Sequence, residues 1–285
     1  MPTPSAADRA NTRSSLPVAF AAGAAVGVLG GMIGLGGAEF RLPLLITLFG
    51  FVALQAVILN KALSLVVVVT ALPARLTAVP LSALWPHWDV VANLLLGSLA
   101  GAWAGASWAT RMRTTTLYRV LAALLVLIAL ALIGNHAGTL HHVALAPAVV
   151  VAAGVVAGFG IGVVAAIMGV AGGELLIPTI VLLFGTDIKV AGSLSLAVSL
   201  PTMLVAFARY SHDGSFTVLR RHARLVAVLA AGSITGTVLG GLLLGAVPDT
   251  VLVPGLALLL LLSSVKVWRH ATDGDHNRAQ PVTRA

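Results

Sequence analysis

The sequence predicts an all-α polytopic membrane protein that is built from two homologous halves. Of its 285 residues, 59% are hydrophobic and only 9% are charged, whereas soluble domains carry about 25% charged residues. Apolar runs recur along the chain at about the 20 residues that a helix needs to cross the hydrocarbon of a bilayer. An internal repeat with a constant offset of 135 residues relates the two halves.

Charge and cysteine content exclude several classes of protein. The net charge is +8, but the basic residues form short clusters between apolar runs instead of one basic face with interleaved aromatic residues. We therefore expect the lipid bilayer as the surroundings and no nucleic acid as a partner. The chain has no cysteine, which excludes disulfides, thiol catalysis and cysteine-based metal sites.

The repeat rests on rare residue types that share one register. These pairs are Glu39 with Glu174, Pro43 with Pro178, and His87 with His222. Duplication is the simplest explanation, because such residues seldom match by chance in a chain rich in alanine, leucine and valine. The predicted organisation is an N-terminal tail (1–16), a first membrane repeat (17–134), an outer linker (135–144), a second membrane repeat (145–268) and a C-terminal tail (269–285).

Each half is predicted to contain four full-length helices and one short one. Leu42–Phe49 and Ile177–Phe184 are apolar but too short for a full span, and each ends at a glycine. Each is either a short tilted crossing or a re-entrant half-helix. If both basic loops, near 111–119 and 209–224, face the cytoplasm, the halves are inverted repeats with five passes each. Both termini and Lys61 are then cytoplasmic; the alternative is parallel halves with four passes and re-entrant loops.

Glycine-rich breaks precede the two short segments. At membrane depth, non-helical backbone is tolerated only against protein or a water-filled cavity, and paired broken helices indicate a transporter's substrate site. Helix N-termini carry partial positive charge and suit an anion. By contrast, stripes of glycine at four-residue spacing are predicted to serve helix packing: Gly97, Gly101, Gly105, Gly232, Gly236 and Gly240.

Glu39 and Glu174 are the ionisable pair beside these breaks. An ionisable residue inside a membrane segment is costly and suggests a functional site. Each glutamate could accept a coupling proton, could cap its own short helix, or could pair with Arg41, Lys61 or Arg75. Proton binding and capping stay open as equal alternatives.

Small polar faces follow at symmetric places on the next helix of each half. Asn60 and Ser64 are four residues apart, as are Ser195 and Ser199, so each pair shares a helix face. Interhelical hydrogen bonding is the alternative role. The predicted substrate-binding residues are Gly34, Gly36, Gly37, Glu39, Pro43, Asn60, Ser64, Gly169, Gly172, Gly173, Glu174, Pro178, Ser195 and Ser199.

Neither a metal, a cofactor nor a catalytic site is predicted. His136, His141 and His142 cluster in the outer linker region, but no carboxylate or cysteine accompanies them. The chain contains no hydrolase, phosphate-binding or dinucleotide-binding pattern. We therefore expect that the protein is not an enzyme.

The doubled motif resembles the sulfite exporter TauE/SafE family of membrane permeases. The resemblance is carried by Gly34-Leu-Gly-Gly-Ala-Glu-Phe-Arg-Leu-Pro43 and by Gly169-Val-Ala-Gly-Gly-Glu-Leu-Leu-Ile-Pro178, with a glycine and an alanine behind each. It implies secondary transport of sulfite, a sulfonate or another small organic anion across the bacterial inner membrane. Arg41 is less typical of the motif, and its counterpart is Leu176, so the site is expected to be asymmetric.

These observations predict a secondary transporter that works by alternating access, with the two halves rocking around a site at the bilayer midplane. An anion-selective channel is the alternative. The expected partners are a small anionic substrate, the lipid bilayer and protons as a coupling ion, and the sequence leaves a homo-oligomer open. The expected location is the bacterial inner membrane, with several passes and both termini in the cytoplasm.

Overall fold

A computed structural model gives the fold of residues 6–33, 37–78, 81–136, 146–186, 188–211, 217–242, 254, 257–258 and 260–269. Within these residues the regular structure is entirely helical, which confirms the predicted all-α membrane fold. The first half contains α1 (Ala6–Ile33), α2 (Ala38–Thr47), α3 (Ala53–Ala78), α4 (Leu81–Leu84), a 3-10 turn (Trp85–His87), α5 (Trp88–Arg111) and α6 (Thr114–His136). The second half contains α7 (Pro147–Met168), α8 (Gly173–Phe184), α9 (Ile188–Ser211), α10 (Thr217–Arg221) and α11 (Ala223–Leu242). Residues 260–269 are also helical.

Several of these helices are apolar enough to lie in a bilayer. In the described part of the chain, three are long enough to cross it: Trp85–Arg111, Pro147–Met168 and Val190–Ser211. Shorter apolar stretches are Leu16–Leu29, Ala53–Val69, Thr114–Leu130, Gly173–Phe184 and Ala223–Leu239. The protein is therefore a multi-pass membrane protein.

The two short segments are helices that each begin after a glycine; α8 also ends at a glycine, Gly185, whereas the C-cap of α2 is Leu48. α2 has 10 residues and α8 has 12, or roughly 15 and 18 Å at the rise of an α-helix. Gly37 (φ 65°) and Gly172 (φ 84°) precede them in the left-handed conformation, which side chains with a Cβ rarely adopt. Neither helix reaches the roughly 30 Å of the hydrocarbon core.

The two halves pack against each other along two pairs of helices that touch at glycine residues. Each such contact line is called a seam. Gly101 of α5 lies against Phe159 of α7, and Gly105 lies against Val163. A Cβ on Gly101 would overlap the carbonyl oxygen of Phe159 and would lie 2.8 Å from its carbonyl carbon. The two helices therefore pack backbone to backbone, as the small residues predicted.

The symmetry-related seam joins α1 to α11. A Cβ on Gly23 would lie 3.2 Å from the backbone nitrogen of Ser233, and one on Gly27 would lie 2.9 Å from that of Thr237. These two seams are the most extensive helix contacts in the described structure. The packing role is confirmed for five of the six predicted glycines; the surroundings of Gly240 lie outside the description.

Helix direction follows from paired contacts. Gly101 contacts Phe159 and Gly105 contacts Val163. Residue numbers therefore rise in the same direction along α5 and α7, so these helices are parallel. The Ser98 Oγ lies 2.8 Å from the Thr202 Oγ1, and the Arg209 Nε donates to the Ser107 Oγ at 2.7 Å, so α5 and α9 are also parallel. Because α7 and α9 then run the same way, 169–187 must carry the chain back across the bundle.

Candidate functional site at the helix breaks

The N-termini of α2 and α8 meet at a pair of buried carboxyl groups, those of Glu39 and Glu174. This meeting point is called the junction below. Glu39 and Glu174 are 1% and 5% exposed, and a side-chain hydrogen bond joins them. A carboxylate has no donor, so one of the two carboxyl groups must hold a proton to make this bond. The pair is therefore able to store a proton inside the bundle.

Each glutamate also lies at the start of its own helix. Glu39 and Glu174 each accept a hydrogen bond from their own backbone N–H, and the preceding Gly37 and Gly172 offer no side-chain cap. A carboxyl group in the first turn is favourable because the helix N-terminus carries partial positive charge. The geometry of capping is thus compatible with a shared proton, and the two predicted roles do not exclude each other.

In the described part of the chain, Arg41 is the basic residue of the predicted set whose charge acts on Glu39. The Arg41 side chain is 1% exposed, and its positive charge stabilises ionised Glu39. The side chain of Arg75 lies outside the described residues. Arg41 therefore supplies positive charge from the same short helix, α2, that carries Glu39.

Lys61, which was predicted on the cytoplasmic side, is buried inside the helix bundle. Its side chain is completely buried within α3, and its Nζ donates to the carbonyl oxygens of Ala165 at 2.8 Å and Val170 at 3.0 Å. The positive-inside rule assigns lysines that flank spans to one side of the membrane, so it does not predict this burial of Lys61, which lies two turns inside its helix. An ammonium there stabilises the C-terminal carbonyls of α7, where the helix dipole is negative.

The break between α7 and α8 is held by side chains from α3 and α9. The ends of helices leave carbonyls that lack helical partners, and in a membrane these must be satisfied by protein or by water in a cavity. Besides the two bonds from Lys61, the bonds are Asn60 Nδ2 to Met168 O (3.2 Å), Ser64 Oγ to Gly169 O (3.2 Å) and Tyr210 Oη to Ala166 O (3.0 Å).

Asn60 also ties this break to the other short helix. Its Nδ2 donates to the Ala38 carbonyl oxygen at 2.9 Å as well as to Met168. Ala38 is the first residue of α2 and Met168 the last of α7. One amide thereby bridges the two breaks, and the predicted polar face of Asn60 and Ser64 lies beside them.

The corresponding serines of the second half are also buried. The Ser195 Oγ donates to the Gly192 carbonyl oxygen at 2.8 Å within α9. The Ser199 hydroxyl has no hydrogen-bond partner within the described residues. By the repeat, Ser199 corresponds to Ser64, whose partner Gly169 corresponds to Gly34.

The glycines and prolines of the motif do not all lie at the junction of the two glutamates. Gly34 and Gly36 lie outside the described residues, whereas Gly169 ends α7 and Gly173 opens α8. Pro43 is buried within α2. Pro178, within α8, lines an apolar cleft of about 520 Å³ with residues of α6 and α7, not the polar junction.

Sequence reasoning missed Tyr210. It is completely buried, and its hydroxyl satisfies a carbonyl at the end of α7. A tyrosine near the end of a membrane helix is usually assigned to the interface. The neighbouring Arg209 indicated from the sequence where α9 ends. No sequence feature indicated that the phenol of Tyr210 points into the bundle.

The histidine cluster of the outer linker cannot be located in the described structure. His141 and His142 lie outside it, as does the side chain of His136. The described residues contain no group of three potential metal ligands.

Comparison with known proteins supports the resemblance found in the motif. Residues 2–132 match the family described as Sulfite exporter TauE/SafE, which confirms that resemblance for the first half of the chain. No curated protein and no solved structure gives a significant match. The second half carries the same glycine–glutamate–proline motif through the repeat.

Proposed function

We propose that this membrane protein, whose residues 2–132 match the sulfite exporter TauE/SafE family, is an inner-membrane secondary transporter. It moves a small anion, such as sulfite, a sulfonate or another organic anion, by alternating access. The observation that carries this proposal is the meeting of two short helices at their N-termini, with a proton-sharing pair of glutamates between them.

Helix N-termini supply the attraction for an anion. Their free N–H groups and partial positive charge favour negative ligands, and Arg41 adds a full positive charge in the same region. Irregular backbone around the breaks is sheltered by Asn60 and Ser64. A polar junction surrounded by apolar helices is the arrangement that a membrane transporter needs at its substrate site.

Protons are the proposed coupling ion. The hydrogen bond between Glu39 and Glu174 requires a proton, and the Oε2 of each has no hydrogen-bond partner within the described structure. A buried oxygen without a donor is unfavourable, so opening this junction to water on one side would let the pair exchange its proton there. Movement of the anion with that proton reduces the charge that crosses the bilayer.

The moving parts are proposed to be helix pairs, not the two sequence halves. The glycine seams join α5 to α7 and α1 to α11, and each seam links one half to the other. Rocking of whole halves would open both seams and expose closely packed backbone. We therefore expect each seam to move as a unit around the central helices α3 and α9.

The test uses purified protein in liposomes with a pH-sensitive dye inside. The wild type should take up sulfite or a sulfonate together with protons, and should exchange labelled for unlabelled substrate. Glu39→Gln and Glu174→Gln should each abolish proton movement while substrate exchange continues, because an amide keeps a hydrogen-bond donor but carries no exchangeable charge.

Asp89→Asn is the matched control, since this acidic residue is exposed in the first turn of α5. It should behave as the wild type. Proton-coupled uptake at the wild-type rate in both glutamine variants would remove the pair from the mechanism. Flux that neither saturates nor shows exchange would establish the channel alternative.

The proposed topology is an inverted repeat with both termini in the cytoplasm. The parallel course of α7 and α9 and the two basic loops support it. Single cysteines at His141 and Asp249, in this cysteine-free chain, should both react with an impermeant maleimide from outside the cell. Labelling of the two sites from opposite sides would refute the inversion.

A further inference from the structure

Lys61 is a buried cation that proton coupling does not use. It is 0% exposed, near the middle of an apolar helix. Among the described residues no carboxylate forms an ion pair with it, and its hydrogen bonds go to the carbonyl oxygens of Ala165 and Val170. Burial of an ammonium without a counter-ion is strongly unfavourable.

When Lys61 is protonated, the charged side chains of the described bundle interior leave one positive charge in excess. The buried carboxyl, guanidinium and ammonium side chains of the described structure are those of Glu39, Arg41, Lys61 and Glu174. Because the two glutamates share a proton, together they carry one negative charge, which Arg41 balances. Lys61 is then offset only by the end of α7, worth about half an elementary charge.

The hydrogen bonds of Lys61 leave one donor for a ligand. An ammonium group has three N–H donors, and carbonyl oxygens at 2.8 and 3.0 Å occupy two of them. The neighbouring Asn60 lies against the first residue of α2 and the last residue of α7. Lys61 therefore lies at the break between α7 and α8, because its second acceptor, Val170, is two residues before Gly172 at the start of α8.

We propose that Lys61 binds the charged head of the transported substrate, and that this substrate is a monoanion. The proposal rests on the transporter function and adds the substrate's charge and the residue that recognises it. A single negative charge neutralises the excess, whereas a dianion would leave the junction negative. The counterpart of Lys61 in the second half is Leu196, so the protein has one such site rather than one in each half.

The experiment measures equilibrium binding to purified protein by the shift in thermal unfolding, followed with the five native tryptophans. The probes are methanesulfonate (a monoanion), sulfate (a dianion) and dimethyl sulfone (a neutral analogue). The wild type should bind methanesulfonate at least tenfold more tightly than either other probe, since a charge-assisted hydrogen bond is lost with the sulfone.

Lys61→Gln keeps an amide donor for the α7 carbonyls but removes the charge. It should weaken methanesulfonate binding by roughly tenfold or more, and Lys61→Arg should restore much of the affinity. The matched control is Ser98→Ala, which removes the buried hydrogen bond to Thr202 between α5 and α9 but no charge. It should leave the affinity within about twofold of the wild type, although it too lowers stability.

Wild-type affinity in Lys61→Gln would overturn the assignment while leaving the transporter proposal intact. Equal binding of dimethyl sulfone and methanesulfonate by the wild type would also overturn it, even if Lys61→Gln does not fold. A wild type that binds and transports no anion would instead remove the transporter function, and this assignment with it.

Discussion

The seam between α5 and α7 allows a prediction whose magnitude comes directly from atomic distances. A Cβ added to Gly101 would overlap the carbonyl oxygen of Phe159 and would lie 2.8 Å and 3.0 Å from its carbonyl carbon and Cα. Ordinary contacts of a Cβ begin near 3.4 Å. These are backbone atoms, which cannot rotate away, so Gly101→Ala must push the two helices apart.

A matched variant isolates the packing cost. Gly160 lies on α7 with no atom within 4 Å of an added Cβ. Both Gly→Ala changes gain the same helix propensity, about 1 kcal/mol, so this gain cancels in their difference. What remains is overpacking, which costs about 1–3 kcal/mol.

The assay is thermal unfolding in detergent, followed by tryptophan fluorescence. At roughly 2–4 °C for each kcal/mol, Gly101→Ala should unfold roughly 2–12 °C below Gly160→Ala. Gly160→Ala should unfold at or slightly above the wild-type temperature. If the two variants unfold within 1 °C of each other, the close backbone packing of this seam is refuted.

Three further variants test separate features of the molecule. Asn60→Leu removes the amide that donates to Ala38 O and Met168 O and leaves the Met168 carbonyl, at the end of α7, without that donor, which should lower the free energy of unfolding by about 1–3 kcal/mol; an unchanged unfolding temperature would contradict the bridge. Gly50→Ala meets no neighbouring atom, but its φ of 69° should cost about 1–2 kcal/mol through backbone strain alone; a stabilised variant would show that this turn relaxes. At His222, burial and then the charge of Arg221 lower the pKa below its usual value. The unfolded chain therefore binds the proton more readily, and stability should fall as pH drops below about 6.5. His222→Gln should reduce that slope, and an identical pH profile would exclude the contribution.

The fold class was accessible from sequence because it depends on local properties. A chain with 9% charged residues and repeated apolar runs is compatible with lipid as its solvent. The existence of α2 and α8 was also predictable from the glycine-rich breaks, although the helices begin at Ala38 and Gly173, four residues before the predicted segments 42–49 and 177–184. Both glutamates were identified as the informative residues because ionisable groups are rare in membrane helices.

The partners of these residues were not predictable from local pattern. Apolar residues favour lipid and protein interior almost equally, so hydropathy cannot distinguish the inward face of a membrane helix from its outward face. Lys61 therefore looked like a residue at the membrane boundary, although its Nζ lies among the carbonyls of α7. The inward position of the Tyr210 hydroxyl could not be predicted for the same reason.

The sequence by itself determined a membrane protein of two related units, each with a broken helix and one glutamate. Only the tertiary structure decided that Glu39 and Glu174 share a hydrogen bond, although 135 residues separate them. It also decided that each half packs most closely against helices of the other. The physical reason is that the sequence repeat determines the local structure of each unit. Contacts between units depend instead on the close approach of helix backbones at glycine and on the partners that buried polar groups find.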